Sequence, residues 1–277
     1  MDGLRHQHQL GDLLWAAGLS ASTFYYQRKS LSAPDPDAAA KASVQRVFAE
    51  HRGRYGYRRV TAQLRREGVP INHKVVLRLM QAMGLKSPVR QKKFHSFRGV
   101  SHETTPNVLQ RRFDAGQPNQ AWVTDVTEFN VRGEKLYLSP VLDLYNGEIV
   151  AFQTDRRPTL DLVARSLRKA VTRLSDDQRP VVHSDQGWQY QQPAYRRLLT
   201  DRHLVQSMSR KGNCLDNAAM ESFFAVLKSE LFHLGRFDSI DQLQRSIRSY
   251  IHYYNHKRIK LKLKGLSPVE FRVQAFG

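Results

Sequence analysis

The spacing of apolar residues changes from helical to strand-like near residue 120. Before that point apolar residues recur every three or four positions, as at Val44, Val47 and Phe48, which predicts short amphipathic helices. After it, the runs AWVTDVTEF, KLYLSPVLDLY and EIVAFQTD are rich in β-branched and aromatic residues and are separated by turn residues such as Asn146-Gly147. The chain therefore divides into a helical region and a region that contains a sheet.

The helical region predicts two pairs of helices. Residues 12–28 form a short pair, and residues 31–38 (LSAPDPDA) are a linker because they contain two prolines. After a helix over 39–51, two more follow, the first ending at Gly68 and the second capped by Asn72. A short turn joins these last two helices, as in a helix-turn-helix.

The second region predicts an α/β fold. Three strands come first, and alternating helices and strands follow them near residues 160–174, 180–184, 193–202, 204–207 and 218–231. The order β-β-β-α-β-α-β-α indicates a mixed sheet with helices packed on its faces.

Charge separates the same regions. The 277 residues include 44 Lys+Arg and 25 Asp+Glu, and the resulting net charge of +19 indicates a polyanionic partner. Residues 1–118 carry a net +12, residues 119–233 a net +1 and residues 234–277 a net +6. We therefore expect the basic flanks to contact nucleic acid; the alternative is that they form solvated faces.

Cysteine content and apolar runs exclude several classes of protein. A single cysteine, Cys214, excludes a disulfide scaffold and a cysteine-based zinc module. No apolar run approaches 18 residues and no signal peptide is visible, so an intracellular protein that does not span a membrane is expected. His252 and His256 could present two zinc ligands at i, i+4, but a position on a basic helix near DNA is preferred.

Three acidic residues stand where a carboxylate needs a partner. Asp125 lies inside the first apolar strand, Asp185 directly follows the fourth strand, and Glu221 is on the first turn of the last helix. Three converging carboxylates repel one another, and a divalent cation such as Mg²⁺ resolves the repulsion. Two such ions can clamp the attacking and leaving oxygens of a phosphoryl transfer. Taken singly, Asp125 is equally a surface acid on an edge strand, and Glu221 an acid favoured by the helix dipole.

The chain resembles the second-frame product of the insertion sequence 3 family of bacterial transposases, which have a retroviral-integrase-like core. The matching stretches are RYGYRRV at 54–60, NHKVVLRLM at 72–80, NQAWVTDVTEF at 119–129, HSDQGWQY at 183–190, SRKGNCLDNAAMESFFAVLKSEL at 209–231 and YYNHKRIKLKLKGLSPVEF at 253–271. The resemblance implies a ribonuclease H-like fold with a mixed five-stranded sheet. It also implies that Asp125, Asp185 and Glu221 form a metal-binding catalytic triad.

The resemblance implies metal-dependent cleavage of DNA strands and their transfer by a 3′-hydroxyl during transposition of an insertion sequence. The expected cofactor is two Mg²⁺ ions, for which Mn²⁺ can substitute. The expected partners are double-stranded DNA of the element ends and target, further copies of the chain in at least a dimer, and a first-frame protein or frameshift fusion. A nuclease that only hydrolyses DNA and a DNA-binding regulator without activity are the alternatives.

Five segments are expected along the chain: a helical segment with its linker at 1–38, a basic helix-turn-helix-like domain at 39–98, a connector at 99–118, an integrase-like core at 119–233 and a basic helical segment at 234–277. Lys228 follows Glu221 by about two turns, which favours a phosphate contact. The other expected DNA contacts are basic residues of the flanks and of the loop before the last core helix: Arg58, Arg59, Lys74, Arg78, Arg210, Lys211, Lys257 and Arg258.

The residues around Asp185 leave two interpretations open. His183 and Gln186 either touch the scissile phosphate or support the turn that carries Asp185. Trp188 and Tyr190 have rings that could stack on a base, and for Trp188 packing inside the fold is the preferred interpretation.

Overall fold

The computed structural model describes residues 2–88, 107–108, 115–209 and 217–276. Most of the predicted connector at 99–118 therefore lies outside the described residues. The predicted order, helices first and a mixed sheet afterwards, is confirmed. No helix in the described ranges is long and apolar enough to cross a bilayer.

Five helices form the N-terminal region. They are Leu10–Ala16 (α1), Ala21–Ser32 (α2), Ala38–Glu50 (α3), Tyr57–Arg66 (α4) and His73–Ala82 (α5). Helix α4 ends at a turn in which Gly68 has φ 83°, a left-handed conformation that favours glycine. Helix α5 is capped by Asn72, whose side chain accepts a hydrogen bond from the N–H of Lys74, as the predicted cap requires.

Helices α3, α4 and α5 enclose a small apolar core of their own. One buried face comes from each helix, because apolar residues recur on it at helical spacing. The buried side chains include Val44, Val47, Val60, Leu64, Val76 and Leu79. Since α4 and α5 pack on each other and on α3, the predicted helix-turn-helix arrangement is present.

The sheet has six strand segments: Ala121–Thr124 (β1), Thr127–Val131 (β2), Glu134–Asp143 (β3), Ile149–Asp155 (β4), Val181–Ser184 (β5) and Val205–Met208 (β6). Strand β3 runs antiparallel to β1, β2 and β4, whereas β1, β5 and β6 are parallel. Strands β1 and β2 occupy one position of the sheet, because both pair with β3 in a single register. The sheet therefore has the five strand positions that were expected.

The break between β1 and β2 falls at Asp125 and Val126, inside what the sequence predicted as one strand. Extending the register with β3 places Pro140 opposite Asp125. Proline has no N–H, so it cannot complete the ladder at this point. The hydroxyl of Thr124 donates instead to the Pro140 carbonyl at 2.9 Å. The Asp125 side chain consequently lies at an opening in the sheet.

Helices cover both faces of the sheet. Leu160–Val171 (α6), Trp188–Gln191 (α7) and Pro193–Thr200 (α8) share a core with Trp122 of β1. Ala218–Leu227 (α9) and Ile240–His256 (α10) pack on the opposite face, and Pro268–Phe276 (α11) follows them. The short helix α7 was not predicted. The predicted last core helix also ends early, at Leu227, and continues as a π-helical turn, Lys228–Phe232.

The C-terminal segment is a structural part of the fold. Helix α10 buries Leu243, Ile247 and Ile251 against the sheet, and Ile259 beyond it is buried in the core of helices α3–α5. The backbone N–H of Ile259 donates to the Tyr55 hydroxyl at 2.9 Å. The expectation of a basic segment that serves DNA binding is thus incomplete, because this segment joins the N-terminal helices to the sheet.

A buried carboxylate links three parts of the chain at this junction. Glu230, in the π-helical turn, accepts hydrogen bonds from Arg258 at 2.8 and 2.6 Å, from the Tyr250 hydroxyl at 2.9 Å and from Arg59 at 3.4 Å. Burial raises the pKa of the Glu230 carboxyl, but the hydrogen bonds and charge of Arg258 outweigh it and hold this pKa below its usual value. We call these residues, together with Arg54, the Glu230 cluster.

Replacing Arg258 with methionine should destabilise the protein strongly, because the substitution leaves a buried carboxylate with less compensation. Breaking a buried pair from one side typically costs about 3–5 kcal/mol. Thermal and urea unfolding of Arg258→Met measure the change. Arg248→Met, at an exposed position of α10, is the matched control, and its free energy of unfolding should stay close to that of the parent. Equal losses of stability in both variants would contradict a special role for the pair of Arg258 and Glu230.

Candidate active site

Two of the three predicted acids lie side by side because of strand register. Strands β1 and β5 are parallel, and Val123 is paired with His183. Two residues further along each strand, Asp125 is therefore level with Asp185. Neighbouring strands are about 4.8 Å apart, so the backbones of the two acids are separated by about that distance.

Asp125 is fixed by two hydrogen bonds. Its Oδ1 accepts from the N–H of Val126 at 2.7 Å, and its Oδ2 accepts from the side-chain amide of Asn217 at 3.2 Å. Asn217 directly precedes α9, so this contact brings the N-terminus of that helix to the carboxylate. The Asn217 Oδ1 is buried and has no hydrogen-bond partner in the described part of the chain. Asn217 was not among the residues predicted from the sequence for this site.

Glu221 lies one helical turn after Asn217, and its side chain is exposed. It is close enough to Asp125 for its charge to act on that carboxyl. Within the described ranges, however, no three His, Cys, Asp or Glu side chains are gathered as a metal ion would require. The structure thus brings Asp125 and Asp185 together and places Glu221 at the edge of the pair.

The proximity of the acids changes their ionisation. Burial, then the negative charge of Asp185 and more weakly that of Glu221, raises the pKa of Asp125 to about 8. The Val126 N–H and the positive charge of Lys228 oppose this rise. Burial also raises the pKa of Asp185, against the hydrogen bond from the Gly187 N–H. Such a pair is unfavourable as two free anions, and a counter-charge would relieve it.

The turn after β5 holds Asp185 in place. Its Oδ1 accepts from the Gly187 N–H at 2.9 Å, and a Cβ at position 187 would lie 3.0 Å from that oxygen, so the turn favours glycine. The His183 ring nitrogens lie 2.9 and 3.0 Å from the hydroxyls of Ser207 and Ser209, which ties the end of β5 to β6. The Gln186 side chain donates to the Ser209 carbonyl at 2.9 Å. The contacts of His183 and Gln186 thus favour the second interpretation, in which both residues support the turn that carries Asp185.

The two rings of the following helix differ in exposure. Trp188 is 54% exposed, so the preferred interpretation that it packs inside the fold is wrong. Tyr190 is 1% exposed and stacks edge-on against Tyr195 with ring centroids 5.3 Å apart. Trp188 is the first residue of α7 and faces outward. Tyr190, two residues later in the same helix, takes the buried position.

Seven of the nine basic residues predicted to bind DNA are exposed, half-buried or outside the described residues. Arg58, Lys74 and Lys257 are exposed, and Arg78 is exposed while paired with Asp37 at 2.8 Å. Lys228 is half-buried, with its Nζ 5.4 Å from the centre of the Phe129 ring. Arg210 and Lys211 lie outside the described residues.

Two predicted DNA contacts point into the protein instead. The Arg258 side chain is only 4% exposed and pairs with Glu230, so the prediction that it contacts DNA is corrected. Arg59 also faces Glu230, at 3.4 Å, with 28% of its side chain exposed. The neighbouring Lys257 and Arg258 look alike in sequence, and only the fold separates an exposed cation from a buried one.

Comparison with known families locates two kinds of domain in the chain. An HTH-like domain model matches residues 34–93. Integrase core domain models match residues 115–214 and 221–276. The second match covers α9 with Glu221, the π-helical turn and helix α10.

Two curated relatives are similar over most of their length. "Putative transposase InsK for insertion sequence element IS150" from Escherichia coli (strain K12) is 51% identical over 276 residues, which are 100% of this chain and 98% of that protein. "Transposase InsF for insertion sequence IS3A" from the same strain is 35% identical over 231 residues, or 82% and 80% of the two chains. Among solved structures, the HTLV-2 integrase catalytic core domain in complex with magnesium is similar with 17% identity and a TM-score of 0.47, covering 57% of this chain and 98% of that one.

Neutralising Asp125 should increase stability in a pH-dependent way when no metal ion is present. The unfolded chain releases this proton near the usual pKa of 3.8, whereas the folded chain retains it up to about pH 8. The parent therefore loses stability as the pH rises between these values, and Asp125→Asn escapes that loss.

Thermal unfolding in EDTA measures this effect. The excess in Tm of Asp125→Asn over the parent should grow from about pH 5 to about pH 8 and then level off. Asp201→Asn, at an exposed position after α8, is the control and should show no such growth. An excess that is flat across this range would mean that Asp125 is not perturbed by its neighbours.

Proposed function

Because this chain belongs to the insertion sequence 3 family of bacterial transposases, we propose that Asp125, Asp185 and Glu221 form the catalytic site at which it cuts and joins DNA strands. The family and the transposase function predicted from sequence motifs are confirmed by the relatives. The ribonuclease H-like fold is confirmed by the integrase core models together with the mixed sheet.

The observation that carries the site assignment is the level placement of Asp125 and Asp185 directly after the ends of two adjacent parallel strands, β1 and β5. The donor set suits Mg²⁺ or Mn²⁺, since it consists of carboxylate oxygens and the unpartnered amide oxygen of Asn217. Asp125 and Asp185 would hold two such ions, and Glu221 would complete the site when its side chain turns inward. Bound there, divalent ions would polarise the scissile phosphate and help to ionise the attacking water or hydroxyl.

The residues around the acids keep this arrangement in position. Asn217 donates to Asp125 and Gly187 donates to Asp185, so neither carboxylate rotates freely. The N-terminus of α9 directs its partial positive charge towards the site, which favours the anionic phosphate of a bound strand. The positive charge of Lys228 acts on the Asp125 carboxyl, so Lys228 lies near the site and can attract a second phosphate.

DNA binding outside the site is assigned to basic residues of the flanks. Arg58, Lys74 and Lys257 present exposed cations for backbone phosphates. Arg78 joins them when its pair with Asp37 is exchanged for a phosphate, and we retain Arg210 and Lys211 as candidates before α9. Arg59 is a weaker candidate because its guanidinium faces Glu230.

Further partners follow from the reaction. Two element ends must be held together while they are joined, so we propose at least a dimer on DNA, with a first-frame protein or frameshift fusion contributing to assembly. The cytoplasm near the nucleoid is the proposed location, in keeping with the bacterial relatives.

Substituting the triad should abolish strand cleavage and strand joining while DNA binding is retained. The variants are Asp125→Asn, Asp185→Asn and Glu221→Gln, each of which removes a charge and keeps the shape of the side chain. We expect activity on oligonucleotides that carry the element ends to fall by at least about a thousandfold, because the charge stabilisation that these sites supply is worth several kcal/mol. Glu128→Gln, an exposed acid on β2, is the matched control.

Pre-cut ends with a free 3′-hydroxyl separate the alternatives. A transposase joins them to a target duplex in Mg²⁺, whereas a nuclease that only hydrolyses releases fragments without a joined product. Cleavage that persists in Asp125→Asn would show that the assigned site is wrong. A parent protein that binds the ends but never cuts in any divalent metal would favour the regulator.

Exposed cations of helices α4 and α5 should contribute to DNA binding through phosphates. Arg58→Gln and Lys74→Gln are each expected to reduce the steepness of the salt dependence of log K by about one unit, with a uniform loss across DNA sequences. Fluorescence anisotropy over a range of salt concentrations measures both. Arg179→Gln, an exposed site before β5, should leave the slope unchanged; if the helix variants behave like it, these helices do not touch the backbone.

A further inference from the structure

A basic cleft lies where the N-terminal helices meet the C-terminal segment. Its volume is about 280 Å³, and it is walled by the end of α3, by helix α10 and by Leu231 of the π-helical turn. Its lining contains five basic side chains, His51, Arg52, Arg54, His252 and Lys257, and one acid, Glu50. The acid is already paired with Arg46 at 3.5 Å. We call this the junction cleft.

Arg54 is the buried cation of the junction cleft. Only 8% of the residue is exposed, and its Nε donates to the backbone carbonyl of Glu230 at 3.0 Å. Its guanidinium carbon lies 5.1 and 4.7 Å from the ring centres of Tyr250 and Tyr253. No carboxylate of the described residues forms an ion pair with it, although a buried arginine is normally paired.

The neighbouring carboxylate does not supply the missing charge. Both oxygens of Glu230 are occupied by Arg258, Tyr250 and Arg59. Three arginines therefore lie around one buried acid. Arg258 and Arg59 contact its carboxylate, so in the described part of the chain the positive charge of Arg54 is left without a carboxylate partner. The Nε2 of His51, 4% exposed, is buried in the wall of the junction cleft without a hydrogen-bond partner among the described residues.

The rim extends the same charge outwards. Arg52 is exposed at a left-handed turn, with φ 53° at Arg52 and 72° at Gly53, which brings it beside the end of α3. Lys257 is exposed at the end of α10. A planar guanidinium presents forked N–H donors that match phosphate oxygens, and the flanking cations add attraction at longer range.

We infer that the junction cleft binds a backbone phosphate of DNA, with Arg54 as its central donor and Arg52 and Lys257 at its rim. The cleft is open to solvent, and its walls come from the segment that matches an HTH-like domain and from helix α10 in the segment that matches an integrase core. The inference depends on the chain acting on DNA, but not on the metal triad.

Binding of a duplex without metal tests the inference. All measurements are made in EDTA on the full chain, so a failure of the proposed triad leaves them unaffected. The double variant Arg52→Gln/Lys257→Gln should lower the salt slope of log K by about two units and weaken binding several-fold, and Arg54→Met should lower it by about one unit more. Arg202→Gln, an exposed arginine on the turn before β6, is the matched control.

Two further measurements keep the result unambiguous. Thermal unfolding shows whether the Arg54→Met protein folds. If it does not, Arg54→Lys takes its place, because this variant keeps the positive charge but loses the forked N–H donors. Its affinity for DNA should lie between that of the parent and that of the rim variant. Inorganic phosphate is added to the parent and to the rim variant. Stabilisation by phosphate that the rim variant loses, combined with an unchanged salt slope for DNA, would mean a site for free phosphate and would overturn the inference. Salt slopes equal to that of Arg202→Gln, with no phosphate effect, would likewise overturn it.

Discussion

Two neighbouring parallel strands hold two carboxylates at the same level, and this constraint organises the structure around them. Asp125 and Asp185 cannot move apart, because their separation is set by the register of β1 and β5. Burial raises the pKa of both, and the negative charge of Asp185 raises that of Asp125 further, which is a cost to the free protein. The surrounding N–H groups of Val126 and Gly187 offset only part of it. A bound cation would offset the rest of this cost.

The position of the third acid depends on contacts far from the sheet. Helix α9 is placed by its apolar face, including Met220, Phe223 and Leu227, and by the bond from Asn217 to Asp125. Its other end runs into the π-helical turn, where the Glu230 cluster ties it to α10 and to helix α4. π-helical turns are rare and often accompany functional sites. The helix that carries Glu221 is therefore anchored at both ends, and the integrase-like core needs the C-terminal segment for its geometry.

Much of the fold could be predicted from the sequence, because periodicity reports which face of an element is buried. The helix-turn-helix and the mixed sheet followed from spacing and motifs, whereas the triad of acids stays a prediction of which the structure brings Asp125 and Asp185 together. The break at Asp125 could not, since it depends on Pro140, which becomes its neighbour only when β3 pairs in the observed register. The exposure of Trp188 depends on the start of α7. Likewise, the sequence shows Glu230 only as one charge in an amphipathic stretch. Its role depends on Arg59 and Arg258, which lie 171 and 28 positions away in the chain.

The excess of positive charge has two distinct physical roles in this chain. Some cations are exposed and free to meet a polyanion, as at Lys74 and Lys257. Others face the interior, where Arg59 and Arg258 contact the carboxylate of Glu230 and Arg54 reaches only its backbone carbonyl. A surplus of buried charge is unfavourable without an anion, so any anion that reaches the junction stabilises the contact between the N-terminal helices and α10. By linkage, an intact junction must also favour binding of that anion. If the junction cleft binds a DNA phosphate, as inferred, then DNA binding and the placement of α9 are energetically coupled through the Glu230 cluster.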